Sequence, residues 1–264
     1  MKPRVLLTDV AGEGFPLVLI PGGVTGWLSW IPHQESLKQD FRVIRVQPIH
    51  NELGSAGMVG DPTYSHEVAV ESLRLTMEDF GIETAHFAGW SAGGKGLLDF
   101  ALTYPDAPLS LTLVEPAARW VVEQAGMMKD SWSEENDFLA AISGQEVTDD
   151  DFARFLTLAG FVSEAAQARA DPYWDRGWPH RMTLSWLWAA VMGSDHDLAD
   201  LAALECPVLL TKGTRSAEVD RTIVDVLGAH LRNSTLAEFE GTHAHHLEDM
   251  DSWLAALRQN LSRA

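Results

Sequence analysis

Apolar and polar positions along this chain follow two rhythms. Short apolar runs bounded by turn residues predict strands at 4–8, 17–20, 41–46, 84–88, 109–114, 208–211 and 235–239. Longer stretches with apolar residues three and four apart predict helices at 66–80, 93–104, 217–230 and 251–261. Strands alternating with helices imply an α/β fold, a mostly parallel sheet flanked by crossover helices. Leu17-Val18-Leu19-Ile20 and Leu111-Thr112-Leu113-Val114 are almost continuously apolar, as strands covered on both faces are.

From 117 to 204 the alternation stops. That span holds helical periodicities interrupted by Gly144, Gly160, Gly177 and Pro179, and no convincing strand. The expected organisation is a core at 1–116 and 205–264 carrying a helical cap at 117–204. The cap holds Trp120, Trp132, Trp174, Trp178, Trp186 and Trp188. Seated over the C-terminal edge of the sheet, it would turn some of these rings toward a ligand and use the rest to fill its own small core.

Within this pattern, Gly89-Trp90-Ser91-Ala92-Gly93 joins a predicted strand to a predicted helix. A serine on so sharp a turn exposes its hydroxyl, and glycines two residues either side let the backbone fold that tightly. Ser91 is therefore the candidate nucleophile. A serine hydroxyl needs a base to take its proton, and the base needs an acid to orient it.

The base is expected on the loop after the last strand, where Gly241-Thr242-His243-Ala244-His245-His246-Leu247-Glu248 stands. His243 lies closest to the strand end and takes that role, with His245 and His246 as bystanders or wall residues. Thr242-His243-Ala244-His245 also resembles the opening of the metallo-β-lactamase metal motif. The Asp-His completion is missing, because Leu247-Glu248 occupies its place. No metal and no cofactor are expected.

The acid is less direct. The loop after the penultimate strand reads Gly213-Thr214-Arg215-Ser216, without a carboxylate. Glu115, by contrast, ends an apolar strand, where an unpartnered carboxylate would be costly. A histidine N–H would supply the partner, so Glu115 is the expected acid, with Asp220 or Glu218 as fallback. An oxyanion hole needs two backbone N–H groups. Ala92 would give one from its helix N-terminus, and Gly23 or Val24, in Pro21-Gly22-Gly23-Val24-Thr25-Gly26-Trp27, the other.

Composition narrows the partners. With 19 Lys+Arg against 38 Asp+Glu, the formal net charge is −19, which repels phosphate backbones and disfavours nucleic acid. No apolar run approaches the roughly 18 residues of a membrane span, so no membrane partner is expected. Met1-Lys2-Pro3-Arg4 runs straight into Val5-Leu6-Leu7 without the features of a signal peptide, and a single cysteine, Cys206, excludes an internal disulfide. A cytoplasmic location is the expectation, with a homodimer left open.

These residues resemble the α/β-hydrolase superfamily across essentially the whole chain. The segment 89–93 resembles its nucleophile motif, and Gly241-Thr242-His243 with the later Glu248 resembles its histidine loop. The place of Glu115 is similar to members whose acid follows strand six of the family, such as haloalkane dehalogenases and zearalenone lactonases. The resemblance thus implies an α/β-hydrolase fold with a cap inserted after that strand. The dehalogenases use an aspartate nucleophile, so Ser91 argues against their chemistry. Trp174-Asp175-Arg176-Gly177-Trp178-Pro179 resembles a stretch in the lactonase cap, which implies Trp178 as an aromatic wall for a flat lactone. Trp90 and Trp27 are further candidate substrate contacts. Departures from the family lie at the mouth of the site: Gly22-Gly23 replaces His-Gly, and Gln47-Pro48-Ile49-His50-Asn51-Glu52-Leu53-Gly54-Ser55 replaces Asp-x-x-Gly-x-Gly-x-Ser.

The expected function is a metal-independent serine hydrolase acting on an apolar small-molecule ester or lactone. Two rivals remain: a carbon–carbon bond hydrolase using the same triad, and a small-molecule receptor with residual hydrolysis.

Overall fold

The computed structural model describes residues 1–172 and 174–264. Its centre is a seven-stranded sheet of β1 (Leu7–Ala11), β2 (Pro16–Ile20), β3 (Arg42–Gln47), β4 (Ala85–Trp90), β5 (Pro108–Val114), β6 (Val208–Gly213) and β7 (Ser234–Phe239), in the order β1-β3-β2-β4-β5-β6-β7. β1 pairs antiparallel with β3, and every other pairing is parallel. The C-terminal ends of β2, β4, β5, β6 and β7 therefore open on one edge, where ligands of such sheets bind.

The helices follow in chain order. The first four are α1 (Ile31–Leu37), α2 (Ile49–Ser55), α3 (His66–Asp79) and α4 (Ala92–Thr103). Between β5 and β6 come α5 (Arg119–Gln124), α6 (Ser133–Ile142), α7 (Asp149–Leu158), α8 (Ala165–Ala170) and α9 (Leu184–Val191), with no strand among the described residues. α10 (Glu218–His230), α11 (His245–Glu248) and α12 (Met250–Leu261) complete the chain.

Strand alternation divides the core into two layers. Val18, Ile20, Phe87, Leu111 and Leu113 face α3, α4 and α10. Leu17, Leu19, Ala88 and Val114 face α1 and α12, where Trp30 and Trp253 are fully buried. A third cluster belongs to the helices of 117–204: Phe138, Phe152, Phe155, Leu156, Leu184 and Leu187 pack together and reach down to Val24 and Ala92. That cluster rests on the loops that open the site.

Two expectations change. The first strand lies at Leu7–Ala11 rather than 4–8, on a sheet edge where Leu7 and Val10 are exposed and apolar pattern carries little information. The helices α1, α2, α5 and α11 went unpredicted; with four to seven residues each, they are shorter than the two turns over which a helical period shows.

Candidate active site

Ser91 sits between β4 and α4 with φ 53° and ψ −119°. Among the described residues, two that are not glycine have positive φ: Ser91 and Glu115, at 38°. Strain of this kind costs about 1–3 kcal/mol and persists where surrounding structure over-determines it. Here the over-determination is visible. The Ser91 N–H donates to Val114 O at 2.9 Å, and the Ser91 carbonyl accepts from Lys95 N and Ala117 N at 2.9 and 3.0 Å. The turn thus locks the end of β4 to the end of β5. The flanking glycines are required by close approach: a Cβ at Gly89 would lie 2.8 Å from Gly93 O, and one at Gly93 would lie 2.2 Å from Pro21 O.

Glu115 is fully buried at the end of β5. Its N–H donates to Thr211 O of β6, and its Oε1 accepts from Gly213 N at 2.8 Å. Its Oε2 accepts from His243 Nδ1 at 2.6 Å, across 128 positions of sequence. Burial would raise this carboxyl, but the hydrogen bond and charge of His243 together with the charge of His245 hold it below the usual range. The His243 imidazole is penalised by burial, yet the charge of Asp220 and the bond and charge of Glu115 outweigh that and raise it to about 9. The ring is also packed by Phe161, whose centroid is 5.2 Å away, and its backbone carbonyl accepts the indole N–H of Trp90 at 2.8 Å.

Ser91 and His243 line one cavity with a volume of about 40 Å³, enough for a few water molecules. No Ser91–His243 hydrogen bond is found among the described residues. Such bonds are often long in unliganded enzymes and tighten with substrate. Ala92 lines this cavity, and Gly23 and Val24 line a second that also opens on Ser91. Ala92 N is in the first turn of α4, where a backbone N–H has no carbonyl in its own helix. The three expected oxyanion residues and the expected serine, histidine and acid thus converge on one place.

The fallback acids separate. Glu218 is exposed and pairs with Lys129. Asp220 is buried, lines the cavity, and has Oδ2 at 3.5 Å from His243 Nδ1. Burial raises Asp220 to about 6 against the opposing charges of His243 and Arg119. Of the other histidines, His245 contacts Thr211 Oγ1 through Nε2 and Thr242 O through Nδ1, while His246 is buried among Trp30, Trp90 and His33. Glu115, Asp220 and His243 each offer an atom within 4.8 Å of the others, as do His66, Glu67 and Asp195 elsewhere. The motif-like pair His243 and His245 does not form such a group.

The tryptophans distribute unevenly. Trp90 and Trp174 line the cavity beside Ser91. Trp178 does not line either of the cavities that Ser91 borders; its ring packs on Phe152 at 4.9 Å and under Arg169. Trp27 is outside them as well, held by Gln47 and Arg45 on the flank of the sheet. The aromatic wall is made instead by Trp174, Phe155 and Phe161. Several other groups border the site. Asn51 Nδ2 donates to Gly22 O at 3.2 Å, bracing the glycine loop from the segment that departs from the family pattern. Arg119 and Glu135 form an ion pair within the cavity wall. Arg119 follows the acid's strand closely enough to have been suspected; Asn51 and Glu135 carry no local signal.

A family model described as alpha/beta hydrolase fold matches residues 16–185. The 2-hydroxy-6-oxononadienedioate/2-hydroxy-6-oxononatrienedioate hydrolase of Comamonas testosteroni is 35% identical over 117 residues, 43% of this chain and 40% of that protein. Carboxylesterase YbfK of Bacillus subtilis is 27% identical over 108 residues, 40% of this chain and 35% of that protein. The matches thus span well under half the length of these curated relatives. A solved hydrolase from Pseudomonas aeruginosa PA01 superposes with a TM-score of 0.77 at 22% identity, covering 96% of this chain and 93% of that one.

Proposed function

The chain belongs to the α/β-hydrolase fold family, and on that footing we propose that it is a metal-independent serine hydrolase cleaving an apolar small-molecule ester or lactone. The observation that carries this reading is the 2.6 Å hydrogen bond from His243 to Glu115 beside a cavity shared with Ser91. Ser91 Oγ attacks the carbonyl carbon while His243 Nε2 takes its proton, and Glu115 stabilises the imidazolium through Nδ1–H. The N–H groups of Ala92 and of Gly23 or Val24 hold the oxyanion. His243 returns the proton to the leaving alkoxide, and water later releases the acyl group by the same route.

The cavity supports a neutral substrate. Leu139, Phe155, Phe161, Leu187 and Val191 line most of it, and its polar end holds Arg119, Glu135, Asn136 and Asp220. Two carboxylates there, with Glu115 behind His243, outnumber the Arg119 guanidinium and the His243 imidazolium together, so a substrate carboxylate would meet net repulsion.

Carbon–carbon bond hydrolysis of a diketone-like substrate is the second reading. It is favoured by the relative from Comamonas testosteroni, whose name specifies an oxo-diacid. An active-site phosphonate, with a panel of aryl esters, lactones and vinylogous diketones, tests both. Labelling of Ser91 alone, and loss of ester turnover in Ser91→Ala, are expected. Labelling elsewhere, or unaltered turnover, would refute the serine mechanism, and preferential turnover of diketones would favour the second reading.

A further inference from the structure

His243 is approached by two carboxylates, and they arrive from neighbouring strand ends. Glu115 ends β5 and Asp220 stands in the first turn of α10, which follows β6. Both face the same ring nitrogen: Glu115 Oε2 at 2.6 Å and Asp220 Oδ2 at 3.5 Å from His243 Nδ1. They differ in what lies behind them. Glu115 is anchored by Gly213 N and is not part of the cavity wall, whereas Asp220 is 7% exposed and borders the cavity itself.

We propose that His243 is held by a pair of carboxylates, with Asp220 a positioning residue that shares Glu115's role and can assume it. This rests on the hydrolase reading above. An Nδ1–H bond runs straight to one acceptor at a time, so Glu115 takes it in the resting arrangement. Asp220, at the limit of hydrogen-bond distance, contributes its charge and restricts how the ring turns. A buried carboxylate is retained where partners compensate its desolvation. The charge of Arg119 compensates, and Arg119 is itself paired with the half-buried Glu135, which gives a row of alternating charges across the site.

The row sets when the base is free to act. The charged groups facing His243 are Glu115 at the end of β5, Asp220 on α10, Arg119 on α5 and Glu135 on α6; the imidazoles of His245 and His246 on α11 also face it, and burial holds both toward the neutral form. Carboxylates dominate, so the imidazolium is favoured and the neutral base accumulates only as pH rises. Removing the charge of Asp220 should move that point toward neutrality.

The test compares wild type, Glu115→Gln, Asp220→Asn and the double variant in kcat/KM against pH on an aryl ester. His243 is titrated by imidazole NMR in a Ser91→Ala background, which needs no turnover. With Asp220→Asn, the acid limb and the His243 titration should both fall by about one pH unit. Glu115→Gln should keep turnover within about a hundredfold of wild type, where loss of a sole triad acid costs about 10⁴-fold. Adding Asp220→Asn to it should remove about another tenfold or more. Asp220→Ser serves in its place if the asparagine does not fold. An unmoved titration, with a double variant no worse than Glu115→Gln, would overturn the proposal. No ester turnover in any protein, with the His243 titration still shifted, would sink the hydrolase reading and leave the two-carboxylate hold standing.

Discussion

Gly23 lies directly beneath Leu187: a Cβ built on Gly23 would stand 2.5 Å from Leu187 Cδ1. One residue belongs to the loop proposed to hold the oxyanion, the other to α9 between β5 and β6. The contact fixes the height of that loop from above. Gly23→Ala should therefore fold, because the obstacle is the tip of a side chain, but it should displace the loop. A loss of about ten- to a hundredfold in kcat is expected, the order of effect seen when a donor is misplaced by about an ångström. Leu187→Ala on that background should restore part of it. A cycle in which the two effects simply add would show that the contact does not couple them.

Asn51 holds the same loop through its bond to Gly22 O. The side chain makes no hydrogen bond to Ser91 or His243 and lines neither cavity that Ser91 borders, so its removal should disturb the geometry of the transition state rather than substrate affinity. Asn51→Ala is expected to lower kcat by about tenfold with KM nearly unchanged. A rise in KM at constant kcat would assign Asn51 to substrate binding instead.

These two residues also mark where the sequence stops being legible. Strands β2 and β5 could be read because burial on both faces forces continuous apolar runs, and the meeting of Ser91, Glu115 and His243 because each follows a strand end on one edge of the sheet. The bracing by Asn51 depends on how α2 packs, and nothing local announces it. A likeness of six residues points to Trp178, yet its ring turns into Phe152. Which face of a short cap helix points inward is decided by packing between helices, and single-sequence periodicity over one or two turns does not encode that.

Lys95 and Asp99 form a buried ion pair inside α4, at 2.6 Å with side-chain exposures of 0% and 2%. The contact is close, but its angles do not make a hydrogen bond. Both charges have left water, so the pair offsets a large desolvation cost rather than adding much net stability. Lys95→Met alone should destabilise by about 3–5 kcal/mol, because it strands the carboxylate. Lys95→Met with Asp99→Leu should recover most of that loss in a denaturant melt. A double variant as unstable as the single would mean that the pair is net stabilising in its own right.

Acid stability follows from buried imidazoles outside the proposed triad. Burial lowers His33 to about 4 and His50 to about 4, and it lowers His246 well below its ordinary value. In the unfolded chain these groups take up protons near pH 6.5, while in the folded chain they stay neutral until far lower pH. Their depressed values mean stability that is present above about pH 6.5 and lost as pH falls toward 4. For His33 and His50 the linkage amounts to about 3 kcal/mol each over that window. Asp220 acts in the opposite sense: its raised value adds stability as pH falls from about 6 toward 3.8, and it offsets part of the loss. Two imidazoles of that size, with His246 beside them, outweigh one carboxyl. Tm should therefore fall by about 10 °C between pH 7 and pH 4.5. His33→Gln should flatten that slope. A Tm that holds steady or rises over this range would show that these rings are protonated inside the fold, and that burial does not govern them.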